Sequence, residues 1–288
     1  MWIRRVLRRL FTAWIIILLA GLGGAALVRF SPGFGVDERD MDPRLRAESV
    51  EALRHARREQ ENVGRFYWTS LQQLATGNLG FSSLLNRPIA ELLSERLPVT
   101  MHSVSAGLLA GWMLALALAM PAALFPGSMA DWLGVALNGL LLCLPAAIVA
   151  LLILFLGKPA HWAIALVLAP RIFHYARRLL GSATSLPHVL AARSRGLGEG
   201  RILFRHVVPA ITPQMLGVAG VSVGMALGVS IPVEALCDSP GIGQLTWQAA
   251  LGRDMPLLID LTMLVTLITV TANAAADGAA ALWSGGRW

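Results

Sequence analysis

The sequence predicts an all-α integral membrane protein with about six transmembrane helices, and three observations carry that reading. Apolar residues make up 56% of the 288 positions, mean hydropathy is +0.62 and 14% of residues are charged, a balance foreign to soluble domains of this length. Residues 97–130 and 132–157 hold no Asp, Glu, Lys or Arg, and each stretch exceeds the roughly 20 residues a helix needs to cross a hydrocarbon core. Alternating strand patterns are scarce, which argues against an outer-membrane barrel.

The first apolar run, 11–28, follows Arg4, Arg5, Arg8 and Arg9. It is longer than the roughly 7–15-residue core of a cleaved signal peptide, so it reads as an uncleaved anchor. Further spans are expected near 98–125, 132–156, 160–180, 210–235 and 257–283, leaving 284–288 as a short tail. The fourth is interrupted by Arg171, and the sixth carries Asp260 and Asp277.

Charge placement orients these spans. The N-terminal tail contributes +4, and the segment 171–206 contributes +6, from seven arginines against Glu199. Basic residues near span ends stay on the cytoplasmic side. Six spans place the tail and the loop between spans four and five on that same side, with both termini cytoplasmic. The basic excess is thereby a topology signal, and no nucleic acid need be invoked. Cys143 and Cys237 form no CxxC or Cys/His cluster, so neither a metal site nor a disulfide framework is supported.

Residues 29–97 then lie outside. They hold ten Arg and ten acids, and Val50, Leu53, Ala56, Val63, Tyr67, Leu71 and Leu74 fall near helical spacing. This reads as an external helical insertion after the first span, packed on the outer face or on a partner. In "RPIAELLSERLP", Pro88 suits a first turn, and Ile89, Leu92, Leu93 and Leu97 share a face opposite Glu91, Ser94 and Glu95. The expectation is a short helix on the outer membrane surface, feeding the second span at Pro98, with plain packing as the equal alternative.

The stretch "ARSRGLGEGRILFRHVVPA" breaks at its glycines. Pro187 to Arg195 suits one short helix, Gly196 and Gly198 allow a turn at positive φ, and Glu199 to Val208 suits a second helix closed by Pro209. In that helix Ile202, Leu203 and Val207 point one way, with Arg201 and Arg205 elsewhere. The bland reading is a positive-inside loop. The order of small residues, Gly, basic-apolar helix and Pro favours a docking element.

At these residues the chain resembles the permease subunits of ABC importers, in particular the dipeptide/oligopeptide/nickel type with its EAA loop. The family's A-R-A-K-G-L is matched by Ala192-Arg193-Ser194-Arg195-Gly196-Leu197, followed by Arg205-His206, Pro209 and Pro213. Elsewhere Pro32-Gly33, "GNLGFS" at 77–82, "RPIAELLSERLPVT", "LPAAIVALLILF", Glu234 with "SPGIGQL" at 239–245, Arg253-Asp254, Pro256, Asn273 and Asp277 fit in order. Asn78 stands where Asp is usual, Leu190 where the first loop position is often acidic, "FPGSMAD" is short and lacks basic residues, and the chain ends "WSGGRW" without D-P-R.

The resemblance implies a type I ABC importer permease (MetI-like) fold. It divides the chain into a tail and first span at 1–28, the external segment 29–97, and a core domain at 98–283 with a cytoplasmic coupling loop at 181–209. It implies a multi-pass protein of the bacterial cytoplasmic (inner) membrane. The loop residues expected to couple to an ATPase are Ala192, Arg193, Arg195, Gly196, Leu197, Gly198, Arg201, Ile202, Leu203, Arg205, His206 and Pro209, with Leu197, Ile202 and Leu203 supplying more of the docking than the arginines. Glu234, Pro240, Gly241 and Gly243 are placed at the external mouth, an ordinary turn being the equal alternative. Asn138, Asn273 and Asp277 either line the path or hold helices together. Implied partners are a second, related but different permease chain, two ATPase subunits or domains, and an external solute-binding protein. ATP and Mg²⁺ belong to the ATPases, with no cofactor or metal in this chain.

The chain itself contains no GxxxxGK[ST], HExxH or GxSG-like motif, and His102 and His161 have no obvious Ser or Asp partner, so no catalytic residue is assigned. The competing readings are an intramembrane enzyme and a non-transporting scaffold or receptor.

Overall fold

The structure is a computed structural model describing residues 2–29 and 63–285. Those residues form helices in two compact units, one of residues 2–29, 63–97 and 245–267, the other of 98–244 and 268–285. Val50, Leu53 and Ala56 of the expected external helix, with Pro32-Gly33, lie outside the described residues.

In the first unit, α1 (Trp2–Arg29) meets α2 (Val63–Ala75), whose Tyr67 hydroxyl donates to the Leu18 carbonyl at 2.6 Å. Gly21 lies where a Cβ would be 2.8 Å from Met263 Cγ, and Gly24 lies against Thr262, so small residues set how closely α1 approaches the first half of α11 (Met255–Gly285). The loop after α2 turns on Gly77 and Gly80, both at positive φ. Asn78 Oδ1 accepts the Gly80 N–H at 3.0 Å. An aspartate would make the same turn, which explains why Asn suffices there.

Asp254 then does two jobs. Its Oδ1 accepts from Leu257 N, capping α11, and its Oδ2 accepts from Ser82 Oγ at 2.6 Å and Leu84 N at 3.0 Å. The residues before span two therefore do not form a separate surface helix. They begin α3 (Ile89–Leu124), one helix that runs through Pro98, with Arg87 pairing Glu91 and Glu95 at its start.

The second unit is built around α6 (His161–Thr184). Its Ile164, Leu168, Ile172 and Phe173 are fully buried among the neighbouring helices. Gly107 of α3 sits with no room for a side chain against Ile164. The expected third span is two helices, α4 (Met129–Cys143) and α5 (Ala146–Phe155), bent by 99°. Pro145 is the cause: it holds Leu144 extended, at φ −84° and ψ 123°, and ends the first helix. After α6 come α7 (Pro187–Ser194), α8 (Glu199–Ile202), a π-helical turn at Leu203–Val207, and α9 (Val208–Leu236). α10 (Ile242–Leu251) and α11 complete the chain.

Gly220 and Gly224, one turn apart on α9, would each place a Cβ 2.7 Å from α11, at Ala276 and Thr269. This small-xxx-small seam sets how closely the two helices pack. Among the described residues three helices are long and apolar enough to cross a membrane, 89–124, 199–236 and 255–284, or four if the bent pair is one span. α6 falls short because Arg171, His174, Arg177 and Arg178 dilute it.

Candidate functional site

The basic loop folds as a helix–turn–helix within the second unit. Pro187 starts α7, and Gly196, at φ +73°, ends it in the left-handed conformation that a side chain resists. Gly198 is at φ −63°, so the turn needs one such residue, where the sequence suggested two. Across the turn the Arg193 guanidinium grips Glu199 with two bonds, Nε–Oε1 at 2.8 Å and Nη2–Oε2 at 2.9 Å. That hydrogen bonding holds the Glu199 carboxyl below the usual carboxylate range.

The apolar residues divide by face. Val189, Ala192, Ile202 and Leu203 are buried in the chain's own core, Ile202 and Leu203 at 1% and 2% exposure. Those two are therefore anchors of the loop, while Leu197 is half-buried. The apolar groups left outside are Leu190 and Phe204, 50% and 62% exposed, beside the exposed Arg195, Arg201 and Arg205. Phe204 was not singled out from sequence. The signal for it was there, since it is a bulky apolar residue flanked by Arg201 and Arg205.

Pro209 does not close the second helix. The chain is helical from Glu199 to Leu236. A proline without an N–H cannot bond the carbonyl four residues back, and its ring crowds that turn. The chain widens to a π turn instead, in which Val208 N donates to Leu203 O. Pro213 likewise cannot donate to the Pro209 carbonyl, and the indole Nε1 of Trp283 donates there at 3.3 Å. His206 lies on this turn, half-buried.

At the other end of α9, Glu234 is fully buried. Its Oε2 accepts from Thr100 Oγ1 at 3.0 Å and Gly243 N at 2.8 Å, and Thr100 Oγ1 in turn accepts from Ile242 N at 2.8 Å. Oε1 is buried without a hydrogen bond. A Cβ on Gly241 would collide with Glu234 and Thr100, and one on Gly243 would be 2.7 Å from Ser230 O. Their glycine identity comes from close approach. The segment is thus a packed knot, beyond an ordinary turn, and Pro240 precedes it on the exposed side.

The polar residues inside the helices separate. Asn138 is buried and donates to Gly134 O of its own helix at 2.8 Å. Asn273 donates to Thr269 O at 2.9 Å, beside the Gly220 seam, and Asp277 is exposed. A pair the sequence reading missed links α4 to α6: Arg177 holds Asp131 through Nε–Oδ1 at 2.7 Å and Nη2–Oδ2 at 2.9 Å. Asp131 also accepts from Gly127 N, and Ser128 Oγ accepts from Asp131 N. The S-x-x-D pattern in "FPGSMAD" is the signature of that cap.

Residues 107–284 match the family described as "Binding-protein-dependent transport system inner membrane component". The chain belongs to that family. It is a permease subunit of an ABC importer, a multi-pass inner-membrane protein whose ATPase is a separate subunit. This permease is 29% identical over 288 residues to the oligopeptide transport system permease protein OppB of Escherichia coli K12, covering 91% of this chain and 90% of the relative. It is 24% identical over 247 residues to the dipeptide transport system permease protein DppB of Lactococcus lactis subsp. cremoris, covering 79% and 81%. The matched segment spans the loop and the Glu234, Gly241 and Gly243 part of the knot, while Thr100 precedes it.

Proposed function

We propose that this permease carries peptides, that its 181–209 loop docks on a cytoplasmic ATPase, and that the Glu234 knot shapes the external mouth. In this reading six spans place both termini in the cytoplasm, residues 29–97 outside, and the mouth opposite the loop. A related second permease completes the path, a solute-binding protein delivers cargo, and two ATPases hold ATP and Mg²⁺. The names of the relatives support the substrate class.

The observation that carries the coupling role is mechanical. The loop is stiffened by the Arg193–Glu199 pair, seated by buried Ile202 and Leu203, and continuous with a helix that runs from Glu199 to Leu236. A push on Phe204, Arg201 or Arg205 moves α9 as a rod, and a rod is what a rigid-body switch requires. ATP drives that switch by binding better to ATPases whose permeases face outward. Exposed arginine pairs add only about 0–1 kcal/mol each. Burying Phe204 adds more, up to about 1.5–3 kcal/mol.

The test is the reconstituted complex with Phe204→Ala and, separately, Gly196→Val. Both variants should lose ATPase co-purification and peptide-stimulated ATP hydrolysis. Wild-type coupling in both would refute the docking role.

A further inference from the structure

Arg171 stands near the middle of α6, about 15 Å from the His161 end. Charged residues within a membrane-embedded bundle face protein or water and find a counter-charge. Arg177, further along the helix, has Asp131. Arg171 is exposed and forms no ion pair with a described residue.

What it does have is a cavity of roughly 280 Å³ between α6 and α9. The walls include Tyr175, one turn on from Arg171, with Gln214, Val221 and Ser222 of α9, and no acidic residue lines it. The Arg178 guanidinium lies over the Tyr175 ring, 5.9 Å from its centroid, adding positive charge at that side. Ser222 is committed to Trp112 Nε1 and Ala219 O, whereas the Tyr175 hydroxyl makes no hydrogen bond to a described residue. A planar cationic fork with a phenol beside it suits a carboxylate. The volume suits the end of a chain better than a whole ligand.

We propose that Arg171 is a recognition residue on the translocation path, taking the terminal carboxylate of a passing peptide in the α6–α9 cavity. This rests on the peptide reading above, and the experiment separates the two. Val221→Cys is made with Cys143→Ser and Cys237→Ser, in the full complex in vesicles. Modification by a sulfonate-bearing thiosulfonate is compared with its ammonium counterpart, with and without trialanine or trialanine amide.

The anionic reagent should react about tenfold faster, and Arg171→Gln should abolish that preference. Trialanine should protect Val221→Cys while its amide does not. An unreactive Val221→Cys, meaning a cavity sealed by lipid or a second subunit, overturns the proposal. So does a preference that survives Arg171→Gln, protection by the amide equal to that by the acid, or protection by neither. If the charge preference and acid-specific protection hold but wild type takes up no trialanine, the peptide reading fails while the carboxylate site stands.

Discussion

A methyl group at Gly241 would meet the Glu234 carboxylate and the Thr100 hydroxyl at once. Overpacking of that kind costs about 1–3 kcal/mol. Gly241→Ala should therefore lower the thermal unfolding midpoint in detergent by several degrees. Gly139→Ala, on an open face of α4, should be neutral or slightly stabilising, since nothing lies near it and alanine favours helix. Equal effects of the two substitutions would show that the knot is not tight.

Glu199 supports a second prediction. Its carboxyl is depressed by Arg193, so the folded loop gains stability above the unfolded carboxyl pKa of about 4.3 and loses it as pH falls through the lower folded value. A spin label at Ser194 should loosen across that acidic window in wild type and show no such step in Glu199→Gln. Because the pair is exposed, the effect is local. The partner of Arg193 was not predictable from composition, since a turn at Gly196 had first to bring residues six apart face to face.

At the scale of the element, proline placement explains most departures from simple helical reading. Pro145 breaks the third apolar run by 99°, Pro209 widens a turn, and Pro98 is absorbed inside α3. The same residue type ends one helix and merely perturbs two others. Pro213, inside α9, frees the Pro209 carbonyl, and the Trp283 indole donates to it instead. The turn between α3 and α4 is held differently, by Asp131. Removing that side chain strips Arg177 of both its hydrogen bonds and Gly127 of one. Asp131→Ala should cost about 1–3 kcal/mol, read as a fall in melting midpoint, with Arg177→Ala no worse on top of it. Additive losses would mean the two act separately.

For the whole molecule, the class, the order of apolar runs and the helix–glycine–helix form of the basic loop were legible before any packing was known. These follow from local facts: hydropathy over a span, arginine placement at span ends, and glycine at a positive-φ position. Family membership was legible for the same reason, since its motifs are short and ordered along the chain.

Which residues of that loop face outward emerged only from the packing. Ile202 and Leu203 read as docking residues on a helical wheel, yet they are buried. A wheel shows that two faces differ but not which one meets the core. The close α9–α11 approach at Gly220 and Gly224 and the Asp131–Arg177 pair were settled there too. So was the place of Arg171 on the wall of a cavity. Each depends on distances between residues far apart in the chain, and those distances exist only once the helices have packed.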